Sequence, residues 1–140
     1  MAAVNKFNSF VADVANKVHN LGSDTLKLML TNVAPVATNS VKADITEIAA
    51  GGGYSAGGLS VGSVTSTQTS GVYTLTPATD PVLTASAAVA TFRYVVIYNS
   101  TPAAGNLIGW IDYGSGLTLA SGDTFTVDFL NATTGLLQIT

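Results

Sequence analysis

From Thr25 to the C-terminus the chain is written largely in a period of two. Leu26, Leu28 and Leu30 alternate with Thr25, Lys27, Met29 and Thr31, and Phe125, Val127 and Phe129 alternate with Thr124, Thr126 and Asp128. Successive side chains of an extended strand point to opposite faces, so this spacing buries one face and leaves the other to solvent. Turn-forming stretches interrupt the pattern: Asn32 to Pro35, Ser70-Gly71, Pro77 to Pro81, Asn99 to Asn106, Gly114-Ser115-Gly116, Ala120 to Asp123 and Asn131 to Gly135. Many short strands separated in this way fold as a sandwich or a jelly roll.

Before Thr25 the period is helical. Phe7, Phe10, Val11, Val14, Val18 and Leu21 share one face, while Asn8, Asp13, Asn16, Lys17 and Asn20 fill most of the other. This predicts one amphipathic helix over 5–21, ended by Gly22 as the residue after the C-cap. The expected fold class is mostly β, a jelly-roll or β-sandwich with one N-terminal amphipathic helix. It forms a single domain over 1–140, with the sandwich in 25–140.

Asp44 to Ile48 reads as either a helical turn or a short extended piece. Gly51 to Gly58 holds five glycines in eight residues and is a loop, because glycine loses too much backbone entropy in a regular element. Residues 59–69 read as one Thr/Ser-rich strand that returns through a Ser70-Gly71 hairpin into Val72 to Thr76. Val82-Leu83-Thr84 is a short strand. Phe92 to Tyr98 is apolar on both faces, as expected of a central strand. Leu107 to Tyr113 pairs with it and is broken by Gly114-Ser115-Gly116. Leu117 to Leu119 is a short strand, and Leu136 to Thr140 closes the chain.

The charge content narrows the function. Charged residues make up 9% of the chain, against about 25% in an ordinary soluble domain. Five basic residues, none clustered, cannot neutralise a phosphate backbone, so nucleic acid is not expected as a partner. No run of about 18 apolar residues occurs, so no membrane span is expected. Met1-Ala2-Ala3-Val4-Asn5-Lys6 lacks the long apolar stretch of a signal peptide.

Catalysis needs convergent polar groups, and few are available. The single histidine, His19, reads as an exposed residue near the helix end, where a cation suits the helix dipole. One His and no Cys nearly close the route to a zinc site. Asp112, Asp123 and Asp128 lack the spacing of a calcium loop and read as turn and solvent-face residues. The glycine run lacks the Gly-Lys-Ser/Thr ending that grips a nucleotide. The expectation is a protein that is not an enzyme, with no catalytic, metal or cofactor-binding residues and no cofactor.

What remains is a polar, weakly charged surface rich in Thr and Ser, which loses little when another protein covers it. The candidate partner contacts are Phe7, Phe10 and Val14 on the apolar helix face, Tyr54 as an exposed aromatic anchor in the glycine loop, and the lone Arg93. A carbohydrate-binding module is an alternative reading, with Trp110 and Tyr113 stacking on sugar rings.

The chain resembles a family of small structural proteins of tailed bacteriophages. The residues that carry this are Phe7-Asn8-Ser9-Phe10-Val11 with Lys17-Val18-His19-Asn20-Leu21, then Leu26-Lys27-Leu28-Met29-Leu30-Thr31-Asn32. Further matches are Ala43-Asp44-Ile45-Thr46-Glu47-Ile48, the glycine loop through Tyr54, Phe92-Arg93-Tyr94, and Ile108-Gly109-Trp110-Ile111-Asp112-Tyr113-Gly114. Within that family the chain is similar to the head cement or decoration proteins of Bordetella-type podophages. The resemblance implies a jelly-roll sandwich on the outside of the capsid of a virion made in the bacterial cytoplasm. It implies the major capsid protein as partner, bridging of neighbouring capsomers, and pairing with itself as a dimer. It carries over no catalytic residues. A tail or baseplate subunit is the alternative within the same class.

Overall fold

The computed structural model describes residues 3–140; the first two residues of the N-terminal hexapeptide discussed above lie outside it. The described residues form ten strands and two short helical segments, both helical segments falling before residue 45. In order they are β1 (Asn5–Lys6), α1 (Ser9–Ala15), β2 (Leu26–Thr31), a 3-10 turn (Lys42–Asp44), β3 (Leu59–Ser60), β4 (Val64–Thr69), β5 (Val72–Pro77), β6 (Val82–Thr84), β7 (Val89–Asn99), β8 (Leu107–Leu119), β9 (Thr124–Thr126) and β10 (Leu137–Ile139). The strands form three antiparallel sheets: β1-β8-β7-β2-β3, β10-β5-β4 and β6-β9. The fold is mostly β and sandwich-like, with one short helix near the N-terminus.

The main core lies between the sheets. From the five-stranded sheet come Leu26, Leu28, Leu30, Val95, Ile97 and Ile111. The facing residues include Leu75 and Leu137 of the three-stranded sheet and Leu83 and Phe125 of the two-stranded one. Burying each such side chain is worth roughly 1.5–3 kcal/mol, and this term holds the layers together.

The five-stranded sheet is buried on its second face as well. Phe7, Met29, Val96, Tyr98 and Leu107 form a smaller core there, flanked by Ile45 and Trp110. The segment from Pro35 to Ile48 crosses this face as a strap. It is pinned where Asn8 N–H donates to Ala37 O (2.9 Å), Leu107 N–H to Ser40 O (2.9 Å) and Ile48 N–H to Leu30 O (3.0 Å). This is why Phe92 to Tyr98 is apolar on both sides. It also corrects the half-buried reading of β2, because Met29 and Thr31 are fully buried under the strap.

The predicted helix over 5–21 is shorter than its periodicity implied. Asn5–Lys6 is extended and pairs with Trp110 and Gly109 of β8, and α1 spans seven residues. Lys17, with φ of 62°, ends it. Val18 N–H bonds to Asp13 O (2.8 Å) and Lys17 N–H to Val14 O (3.3 Å), the paired 6→1 and 5→2 bonds of a Schellman end. The residue after the C-cap is therefore Lys17, not Gly22.

Two other boundaries differ. Residues 59–69 are two strands in different sheets, with buried Val61 at the crossing. Gly114-Ser115-Gly116 does not break β8. The register slips between the Tyr94–Asp112 and Phe92–Leu117 pairs, so the extra residues bulge and the strand continues. The Ser70-Gly71 turn has φ of 51° and 83°, the two positive values that a type I′ hairpin requires. Asp44 to Ile48 takes the extended of its two readings: the 3-10 turn closes at Asp44, and the extended piece after it touches β2 at a single Thr31–Glu47 bridge.

Candidate functional site

The structure draws most of the predicted contact residues inward. Phe7 is fully buried against Trp110, with ring centroids 4.6 Å apart, and Phe10 is 6% exposed, packed in the main core and against the His19 ring (5.4 Å). Val14 is half-buried against the same core. The helix face thus packs on the protein's own sandwich. Of this face only Val11, at 56%, is largely exposed.

Tyr54 is 2% exposed and is not an exposed anchor. Its hydroxyl donates to Glu47 Oε1 (2.7 Å) and accepts from the Leu30 N–H (3.0 Å). Glu47 Oε1 also accepts from the Gly57 N–H (2.7 Å). Burial, the Glu47 hydrogen bond and the nearby Glu47 charge push the phenol far above its ordinary range, against the Leu30 bond. The glycine loop is therefore a fastened flap laid on β2. Gly58 shows why glycine is needed: φ is +86°, and a Cβ there would stand 1.9 Å from Leu28 O.

Arg93 remains at the surface, bonded bidentately to Asp112 (Nε to Oδ1, 2.8 Å; Nη2 to Oδ2, 3.0 Å) and lying over the Tyr94 ring at 5.2 Å. The pairing raises the guanidinium pKa and lowers that of the carboxyl. A register shift between Phe92 and Tyr94 accompanies this placement, and no local pattern in the sequence announces it.

His19 departs most from its sequence reading. Its side chain is fully buried. Asn99 Nδ2 donates to Nδ1 (3.1 Å), which leaves the proton of the neutral ring on Nε2, a buried atom 3.9 Å from Asp13 Oδ2. Asn99 also binds Asp24 through Nδ2 and accepts from the Thr101 N–H (3.0 Å), while Asn106 donates to Asp13 (3.0 Å). Burial lowers the His19 pKa, and the charges of Asp13 and Asp24 partly oppose it. The cluster ties the 16–24 turns to the ends of β7 and β8.

The other carboxylates fasten turns. Asp44 accepts from the Ser40 and Val41 N–H groups, Asp80 from Phe129 and Leu130, Asp123 from Ala120, and Asp128 from Asn131. Among the described residues no three His, Cys, Asp or Glu side chains are grouped to hold a metal ion, and no helix is long and apolar enough to cross a membrane.

Strand pairing gathers the threonines into one surface. On the outer face of the three-stranded sheet, Thr65 stands opposite Thr76, Thr67 opposite Thr74, and Thr69 opposite Val72, with Gln138 opposite Thr74 on the other side. Gln138 Nε2 donates to Thr74 Oγ1 (3.0 Å). These three strands carry no charged residue. The T-x-T-x-T run Thr65-Ser66-Thr67-Gln68-Thr69 was the available signal, but it becomes a surface only once β4 pairs with β5.

Compared with family models, curated proteins and solved structures, the chain has no significant match.

Proposed function

We propose that the chain is a structural subunit of a bacteriophage head, a cement or decoration protein on the outside of the shell that bridges major capsid protein subunits. The observation that carries this reading is the uncharged threonine face of β4, β5 and β10. Covering hydroxyls that can re-form hydrogen bonds with a partner costs far less than covering ions. Such a face is suited to being buried by a neighbour, and the resemblance supplies which neighbour. Each copy contributes modest contacts, and repetition over a lattice adds them by multivalency.

The carbohydrate-binding alternative fits the geometry less well. Trp110 packs against Phe7 on the strap side of β8, whereas Tyr113 packs with Phe125 against the main core. The two rings form no common platform. Burial pushes the Tyr113 phenol up to about 12.

The test is the copy number in purified particles, by quantitative mass spectrometry against the major shell protein. A ratio of the same order supports the cement reading. A few copies per particle would transfer the protein to the tail or baseplate, and absence from particles would end both readings.

A further inference from the structure

Among the described residues, the only lysine or arginine side chain within 4.0 Å of a carboxylate is Arg93; the acidic side chains are engaged in turns, the glycine flap and the His19 cluster. Two of the four lysines converge. A Cβ at position 57 would stand 3.7 Å from Lys42 Nζ and 3.9 Å from Lys27 Nζ, so both ammonium groups lie within 4 Å of one point beside the glycine flap.

Their placement is built by the fold. Lys27 on β2 stands opposite Tyr98 on β7. Lys42 enters from the strap, its Nζ 5.6 Å from the Tyr98 ring centre. Its stem lies so close to Gly105 that a Cβ there would come within 2.9 Å of Lys42 Cβ. The Tyr98 hydroxyl donates to Gly57 O (2.6 Å) and locks the flap between them. Both lysines are half-buried, whereas Lys6 and Lys17 are exposed. Glu47, whose carboxylate holds the flap, is bound to Tyr54 and to the Gly57 N–H, and neither lysine has a carboxylate within 4.0 Å.

We infer that Lys27 and Lys42 form a receiving site for one carboxylate side chain of a partner protein. A carboxylate accepting one charge-assisted hydrogen bond of about 2.8 Å on each oxygen spans such a pair of ammonium groups. The site offers no arginine, and the Gly57 N–H is already spent, so it lacks the donor cluster that phosphate favours. The net charge of −3 opposes polyanions such as nucleic acid. Identifying the partner as a neighbouring shell subunit rests on the proposed function; the carboxylate chemistry does not.

Two measurements test this separately. In the first, the isolated protein is titrated with N-acetylglutamate amide and followed by NMR at the Gly57 amide and the Tyr98 ring. Saturable shifts are expected, weakened at least tenfold in K27M/K42M, which keeps the packed stems, and retained in K27R/K42R. No saturable shift, equal binding by K27M/K42M in a folded protein, or tenfold tighter binding of inorganic phosphate would overturn the site. In the second, intact particles are treated with a carbodiimide, which joins an amine to a carboxylate in contact. Links from Lys27 or Lys42 to another polypeptide are expected. If the protein is present but both lysines stay unlinked and open to amine labelling, the partner assignment fails while the proposed function stands. If particles lack the protein, the proposed function fails and the titration alone decides the site.

Discussion

Replacing Tyr54 by Phe removes a single oxygen and tests how the glycine flap is held. The ring stays, so packing is preserved, but two hydrogen bonds disappear: the one donated to Glu47 Oε1 and the one accepted from the Leu30 N–H. The Leu30 N–H is buried and loses its partner, which costs about 1–3 kcal/mol, and a hydrogen bond to a charged group contributes about 1.5–3 kcal/mol. Glu47 keeps the Gly57 N–H and is partly solvated, so the second loss is incomplete. The expected total is about 2–4 kcal/mol, or a fall in Tm of roughly 6–12 °C for a chain of this size. Urea unfolding should show a lower midpoint with an unchanged slope. The cycle with Glu47→Ala should be non-additive, because the two side chains share one bond. A loss below about 0.5 kcal/mol, or strict additivity, would refute the account of Tyr54 as the pin of the flap.

Three further outcomes follow from the same contacts. Phe10→Asp should abolish the dispersed NMR spectrum of the isolated protein, because a buried ring is lost and a charge enters the main core, at a cost of about 5 kcal/mol or more; a folded variant would place the helix face on a neighbour instead. Lys17→Gly should stabilise by about 0.5–1 kcal/mol in urea unfolding, since glycine accepts the positive φ without strain, and a loss would contradict the helix end described above. His19 has a folded pKa below its unfolded value of 6.5, so the unfolded chain takes up the proton first as pH falls. Its contribution is fully present above pH 6.5 and declines below it; His19→Gln should flatten stability between pH 7.5 and 5, and an unchanged slope would contradict the burial of a neutral ring.

The strand content was legible because alternation and turn residues are local signals. The doubled apolar character of Phe92 to Tyr98 foretold a strand covered on both sides, although not that a strap from residues 35–48 would cover one of them. The helix was over-read for a physical reason. Phe7 and Phe10 share a helical face by spacing, yet they enter cores on opposite sides of the five-stranded sheet, and the break at Lys17 uses a left-handed residue that is not glycine. Tyr54 looked exposed because its neighbours are glycines. Those glycines allow the flap to lie against β2, and its partners Leu30 and Glu47 are distant or unremarkable in sequence. The threonine face and the Lys27–Lys42 pair depend on strand register and on the path of the strap, which no local window encodes.

Cryo-electron microscopy of the intact particle, with this fold placed in the density, decides whether the chain is a subunit of the head. The expected result is the chain on the outer surface of the head, repeated with the shell lattice, with the threonine face of β4, β5 and β10 covered by a neighbouring subunit. Density for the chain only in the tail, or a head position in which that face is bare to solvent, would contradict it.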